Sequence, residues 1–347
     1  MTHDEFEALS VREQLMSLKA HLNQSTATAV FGDSRDKIDD VRRNLVKAYH
    51  PDLHRQDKDV YGLAEDFIAD LNTLYDSWDE SGVMTERVLG VGEISRVTAN
   101  ADGSVTKRLT TGDVDLFKRE AEILTEINAL PLYASEAFKY IPRLLVDDMD
   151  DGGYYHIIGY SDDVRGDELI SLTALAEMYD RNIPVKAIAW IWRRVLAALS
   201  IPHAFGYLHG CVLPDNIMLK PGMVGEKQHR GYLIDWTCAT KSGAKFPYVV
   251  DKWEAFYPPE VLTQGDDNSV PATDIYMAAK SMLWACTNMP AAMKRYFSAC
   301  TLPDKYARLY KPSQLFDLFD KLMYDELGWQ KEFVPLNVTV VDWEWWR

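Results

Sequence analysis

At 347 residues, 47% of them apolar, the chain is long enough to bury a large core and to hold two domains. A net charge of −16 argues against nonspecific binding to nucleic acid or anionic lipid. No apolar run reaches the roughly 18 residues of a membrane span, so neither a membrane nor a nucleic acid is an expected partner. The opening MTHDEFE is acidic where a secretory signal would be basic and then apolar. Four cysteines, Cys211, Cys238, Cys286 and Cys300, show no CxxC pairing and no framework spacing, which suits a reducing, cytoplasmic setting.

Residues 1–80 are polar, almost free of Gly and Pro, and helical in period. Phe6, Leu9, Leu15, Leu18 and Leu22 recur at helical intervals and predict an amphipathic opening helix. Asp33 or Ser34 can cap a second helix, where Ile38, Val41, Leu45 and Ala48 form the apolar stripe. Arg42, Arg43 and Lys47 make its outer face basic. The helix should stop near Tyr49, because Pro51 disfavours helix in the residue before it. His50-Pro51-Asp52 and a polar loop follow, and a third helix then carries Leu63, Phe67, Leu71, Leu74 and Trp78 on one side.

Basic helix, HPD, polar loop and apolar helix together resemble the J domain of Hsp70 co-chaperones over about residues 26–80. The usual first helix is reduced to TATAVFGD, and an extra helix precedes it. The resemblance implies that His50, Pro51 and Asp52 engage an Hsp70-type chaperone, with Arg42, Arg43 and Lys47 as the electrostatic contact. Taken alone, the tripeptide is equally a helix stop inside a helical hairpin.

Residues 81–84 form a short linker, and the pattern then turns to strands. ERVLGVGEISRVTANADGSVTKRLTT predicts a hairpin with its turn at Ala101-Asp102-Gly103. Gly90 and Gly92 sit at the exit of the first strand, where backbone amides could approach phosphate oxygens. Lys107 lies on the next strand. In the following helix Glu120, with Glu122 second, is the partner for a strand lysine. PRLLVDDMDDGGYYHIIGY gives two strands joined by an acidic turn (Asp147, Asp148, Asp150, Asp151), read as a solvated loop. A long apolar helix, with Trp190 and Trp192 as core residues, then leads to YLHGCVLPDNIML and YLIDWT.

This order resembles the protein kinases over about residues 85–325. His209, Asn216 and Asp235 fall on the spacing of the catalytic loop and the metal-binding Asp. Tyr257-Pro258-Pro259-Glu260 and Thr273-Asp274-Ile275-Tyr276 match the end of the activation segment and the central helix with its buried capping Asp. Arg308 is the candidate partner of Glu260. The expected fold is α+β: a small all-α J-like domain (1–80), then a bilobal protein-kinase-like domain (85–347). Its β-rich lobe covers about 85–160 and its α-rich lobe about 161–347, and the aromatic end NVTVVDWEWWR packs on the domain or docks a partner.

The resemblance also marks what is missing. Cys211 occupies the catalytic-base position, so no catalytic residue is assigned. Leu213 replaces a phosphate-steadying lysine, Gly210 an arginine, and Thr237 the glycine of the metal-binding triplet. Asp215 is near but is not expected to rescue the base. A free Cys211 thiol as nucleophile or redox sensor is disfavoured, because only His209 is an obvious basic neighbour. The retained nucleotide-facing set is Gly90, Gly92, Lys107, Glu120, Asn216 and Asp235, with Asn216 and Asp235 as ligands of Mg²⁺ beside ATP phosphates. The expectation is a pseudokinase that binds Mg-ATP as a ligand, recruits Hsp70 and holds an unknown protein partner. The alternatives are a weak ATP-dependent protein phosphotransferase, and a kinase-fold scaffold whose helical hairpin has no chaperone link.

Overall fold

The structure is a computed structural model that describes residues 3–22, 30–31, 35–76, 87–92, 94–112, 114–131, 133–134, 136–161, 164–221, 229–263, 269–328, 334 and 336. Two compact units divide between Thr111 and Gly112. The expected linker 81–84, the caps Asp33 and Ser34, Trp78 and the terminal NVTVVDWEWWR lie outside the described residues.

In the first unit the predicted opening helix is two helices, α1 (His3–Glu7) and α2 (Val11–Leu22). The break has a local cause. Ser10 and Glu13 form a capping box: the Ser10 amide donates to the Glu13 carboxylate at 2.8 Å, and the Glu13 amide donates back to Ser10 Oγ at 3.3 Å. Helix α3 (Arg35–Tyr49) ends at the residue before His50-Pro51-Asp52, and α4 (Lys58–Asp76) follows. Ile38, Val41 and Leu45 of α3 are fully buried against Phe67 and Leu71 of α4. Ala48 is exposed, contrary to the expected stripe, and Tyr49 takes its place. The Tyr49 ring meets Phe67 edge-on at 5.8 Å, and its hydroxyl donates to Gln14 Oε1 at 2.9 Å. An aromatic one residue further on reaches the neighbouring helices, which the alanine methyl does not.

Three antiparallel strands complete the described part of this unit: β1 (Arg87–Val91), β2 (Ser95–Ala99) and β3 (Val105–Leu109). The β2–β3 turn is closed by the Asn100 amide donating to Ser104 O at 2.9 Å, with Gly103 at φ +91°, a backbone state that favours glycine.

The second unit opens with α5 (Val114–Asn128) and the antiparallel pair β4 (Arg143–Asp150) and β5 (Gly153–Gly159). Of the four acidic residues expected in the turn, Asp147, Asp148 and Asp150 are on β4, and only Asp151 is in the turn. Strand β6 (Ile170–Ser171) and α6 (Leu172–Met178) lead to the long helix α7 (Val185–Ala204). Trp192 is fully buried there, and its indole N–H donates to the Tyr296 hydroxyl at 3.1 Å. That hydroxyl in turn donates to Leu315 O at 2.8 Å, so a core tryptophan keeps its polar atom satisfied.

Strands β7 (Tyr207–Leu208), β8 (Ile217–Lys220), β9 (Arg230–Leu233) and β10 (Thr240–Lys241) make two small sheets, β10 with β7 and β8 between β6 and β9. Helices α8 (Pro259–Leu262), α9 (Pro271–Ala285), α10 (Ala291–Cys300) and α11 (Pro312–Leu327) finish the described chain. Helix α9 starts at Pro271, two residues before Thr273. Thr273 lies in its first turn, where its Oγ1 accepts from the Val270 amide at 3.1 Å.

Glu260 and Arg308, matched from sequence as partners, form a buried pair, with Arg308 Nη2 donating to Glu260 Oε2 at 2.8 Å. Thr273 Oγ1 also donates to Glu260, and Arg308 donates to the Leu302 and Pro303 carbonyls, so both ions are hydrogen-bonded on several sides. Removing one partner of such a pair strands a buried charge. Glu260→Ala is expected to cost about 3–5 kcal/mol, read as a loss in urea midpoint. An unchanged midpoint would show that the pair carries no such weight.

Candidate functional site

The site within the second unit is built on Asp274, a fully buried carboxylate in the first turn of α9. It accepts from the His209 amide at 2.8 Å and the Gly210 amide at 2.9 Å, and lies 2.9 Å from His203 Nε2. Three polar contacts satisfy an acid that would otherwise be costly to bury. They also fix where the loop after β7 runs.

His209 is fully buried in that loop. Its Nδ1 accepts from the Cys211 amide at 3.1 Å, and its Nε2 donates to Ile234 O at 3.0 Å. Those contacts require the neutral tautomer with hydrogen on Nε2. Gly210, at φ +80°, explains why no side chain stands here: a Cβ would lie 2.6 Å from Cys238 O and 2.9 Å from the Phe246 ring.

Cys211 lies at the expected base position and is 1% exposed. Its sulfur is bonded to Cys238, with the two Cα atoms 6.0 Å apart, and the Tyr257 hydroxyl is 3.3 Å from Cys211 Sγ. This corrects the sequence reading in which all four cysteines are unpaired. Cys211 and Cys238 are 27 positions apart and share no motif, and the β8–β9 and β7–β10 pairings bring their loops together. In the chain-entropy picture a crosslink of this span restricts the unfolded chain by about 3.5 kcal/mol. The remaining two are buried thiols, and burial pushes Cys300 up to about 12.

Asp215, the acid nearest in sequence, is already engaged. It accepts from Thr173 Oγ1, from the Trp253 indole N–H at 2.7 Å and from Lys252 Nζ at 3.2 Å. Asn216 donates from Nδ2 to Cys211 O at 3.0 Å, and its own carbonyl accepts from the Ile234 amide at 3.0 Å. The β8–β9 register, Ile217 opposite Leu233, thereby sets Asn216 beside the chain that carries Asp235.

Asp235 adopts a left-handed backbone (φ +61°, ψ +73°), a state that costs a residue with a Cβ and collects at functional turns. Thr237 Oγ1 is 2.6 Å from Asp235 Oδ1 and 3.4 Å from Glu120 Oε2. The Trp236 amide donates to Glu120 Oε1 at 3.1 Å, and the Trp236 ring is fully buried edge-on to His209 at 4.6 Å. Glu120, not the exposed Glu122, is therefore the acid of α5 that reaches this turn.

Sequence reasoning missed His156 on β5. It is fully buried, stacked on Phe117 at 4.1 Å, and lies 3.7 Å from Glu120 and 3.2 Å from Asp147. The alternation of β5 places it inward, but nothing local announces its acidic neighbours. Cys238 was likewise not read as part of the site, and Thr237 and Tyr257 were read only as positions in their motifs.

In the first unit, Gly90 lies on β1 beside a register shift after Val88, and the Gly92 amide donates to Ser95 O at 2.7 Å. Lys107, on β3 opposite Val97, is buried. His50, Asp52, Arg43 and Lys47 are exposed. His50 Nδ1 accepts from the Asp52 amide at 3.2 Å, and Asp52 accepts from Arg55 at 2.8 Å, a bond that holds its carboxyl below the usual range. Arg42 is half-buried, donating to Asn72 at 2.7 Å and lying over the Tyr75 ring at 4.6 Å.

Burial depresses the His209 pKa, against an opposing pull from Asp274. The unfolded chain then binds the proton more readily, so stability is lost as pH falls through the ordinary histidine value near ~6.5. Thermal denaturation between pH 7.5 and 5 is expected to show a falling midpoint. In His209→Asn, which keeps an acceptor near Nδ1 and cannot titrate, the slope is expected to flatten by up to ~1.4 kcal/mol per pH unit. An identical slope in both proteins would remove His209 as the cause.

No protein-family model matches the chain. It is 25% identical over 192 residues, 51% of its length, to serine/threonine-protein kinase F of Synechocystis sp. (strain ATCC 27184 / PCC 6803 / Kazusa). The aligned part covers 34% of that relative, so the chain spans about a third of the curated protein it matches. Among solved structures it is similar to the kinase domain of Mycobacterium tuberculosis PknI in a double-mutant form, with a TM-score of 0.50 and 18% identity. That likeness covers 68% of this chain and 94% of the other. The fold of this chain is protein-kinase-like.

Proposed function

We propose that the chain is an interaction protein in which a protein-kinase-like domain holds Mg-ATP as a ligand and an HPD-bearing helical unit engages an Hsp70-type chaperone. The observation that carries the first half is Cys211. At the position where this fold needs a carboxylate there is a buried sulfur engaged to Cys238, and the adjacent Asp215 is spent on three other groups. Removing a positioned base alone lowers a rate by ~10²–10⁴.

Asn216 and Asp235 fit Mg²⁺. With Asn216 Nδ2 donating to Cys211 O, the amide oxygen is left as the ligand atom, and the Asp235 carboxylate would supply a second hard oxygen. The ion, when bound, would neutralise phosphate charge. Gly90, Gly92, Lys107 and Glu120 are the further nucleotide-facing residues that the sequence resemblance implies.

The chaperone half rests on His50, Pro51 and Asp52 standing at an exposed turn that closes a helix with basic Arg43 and Lys47 on its outer side. Arg42 is the weakest of the proposed contacts, because Asn72 and Tyr75 already engage it. The kinase-like domain would supply the surface for a protein partner.

A second reading, a weak ATP-dependent phosphotransferase, is supported by the likeness to serine/threonine-protein kinase F. Incubation with labelled ATP separates the two. We expect no transferred label from the wild type, and label that disappears in Asp235→Ala would overturn the non-transfer reading.

Millimolar Mg-ATP is expected to raise the melting temperature of the wild type and to leave Asp235→Ala unmoved, because ligand binding to the native state alone stabilises it. No shift in the wild type would mean that the pocket does not hold nucleotide. In a separate assay, the wild type is expected to stimulate ATP hydrolysis by an Hsp70 severalfold and His50→Gln is not. Equal, flat responses would favour a helical hairpin without a chaperone link.

A further inference from the structure

The Cys211–Cys238 bond joins the two short segments that carry Asn216 and Asp235. We propose that this bond is a reversible dithiol/disulfide switch: oxidised, it fixes the metal-facing turn, and reduced by a dithiol, it releases that turn. The consequence for nucleotide rests on the Mg-ATP reading above.

The connections around the bond define what it controls. On one side the Cys211 carbonyl accepts from Asn216 Nδ2 at 3.0 Å and from the Leu213 amide at 2.8 Å. On the other, Cys238 ends the short turn Trp236–Cys238 that directly follows Asp235. The Cys238 carbonyl lies close against Gly210, where even a methyl would not fit. Beyond the bond both segments have anchors of their own. Strand β10 pairs with β7, and Arg119 donates to Ala239 O at 2.9 Å and Thr240 Oγ1 at 3.1 Å. Breaking the bond therefore loosens residues 211–216 and 235–239 and leaves the flanking strands paired.

The chemistry is a two-electron exchange. A thiolate of the incoming dithiol attacks the Cys238 sulfur, the S–S bond breaks, and Cys211 leaves as a thiolate. The Tyr257 hydroxyl, 3.3 Å from Cys211 Sγ, is placed to donate a hydrogen bond to that leaving sulfur. The second thiol of the reagent then displaces Cys238. The reagent ends as a cyclic disulfide, and the protein takes up two electrons and two protons. Cys211 and Cys238 are 1% and 0% exposed, so attack waits on local opening of the loop. Cys286 and Cys300 are buried thiols whose pKa values burial raises, and they serve as internal controls.

The test uses the full chain purified without reductant, the same protein treated with dithiothreitol, and Cys238→Ser. Alkylation in denaturant with mass readout is expected to find two free thiols as purified and four after reduction. Amide hydrogen exchange over 211–216 and 235–239 is expected to rise about tenfold or more on reduction and in Cys238→Ser, with helix 271–285 unchanged. Affinity for a fluorescent ATP analogue with Mg²⁺ is expected to fall about tenfold in the reduced protein. Four free thiols as purified, or exchange that ignores reduction, would overturn the switch. Exchange that responds while neither form binds nucleotide would sustain the switch and remove the Mg-ATP reading. Reduction of the wild type keeps the test intact if Cys238→Ser does not fold.

Discussion

The buried carboxylate of Asp274 organises the second unit. An acid in the first turn of an apolar helix is tolerable only if its oxygens are hydrogen-bonded, and here two loop amides and a histidine do this. That single requirement fixes the course of residues 209–211. His209, held by the loop, then bonds the Ile234 carbonyl and fixes the approach to Asp235. The loop, the Ile234–Asp235 segment and helix α9 thus form one hydrogen-bonded unit, with the Trp236 ring packed edge-on to His209 beside it.

On this frame the departures of the chain are coherent. Gly210 is where it is because the Cys238 carbonyl occupies the space that a side chain would need. Cys238 in turn lies within bonding reach of Cys211. Gly210 and the Cys211–Cys238 pairing are consequences of one close approach between two segments. Thr237 follows the same logic: its hydroxyl ties Asp235 to Glu120, a link that a glycine could not make.

The helical unit shows a different balance. Its core of Ile38, Val41, Leu45, Phe67 and Leu71 is ordinary helix packing, and the HPD turn contributes no buried residue. Its conformation comes from the rigid φ of Pro51 and from short bonds among His50, Asp52 and Arg55.

Periodicity and short motifs determined most elements of this protein, because helix faces, strand alternation and proline stops are local effects of the backbone. They placed α3, α4, α5 and α7, the strand bearing Lys107, and the loop from His209 to Asn216. They ranked Glu120 ahead of Glu122, and the structure buries Glu120 and leaves Glu122 exposed. They failed where neighbours distant in sequence decide: Tyr49 in place of Ala48, the inward His156 among carboxylates, and above all the pairing of Cys211 with Cys238. A covalent or buried polar contact between two loops depends on where the intervening hairpin returns the chain. That path is set by packing and by Asp274 together, and no window of sequence contains both.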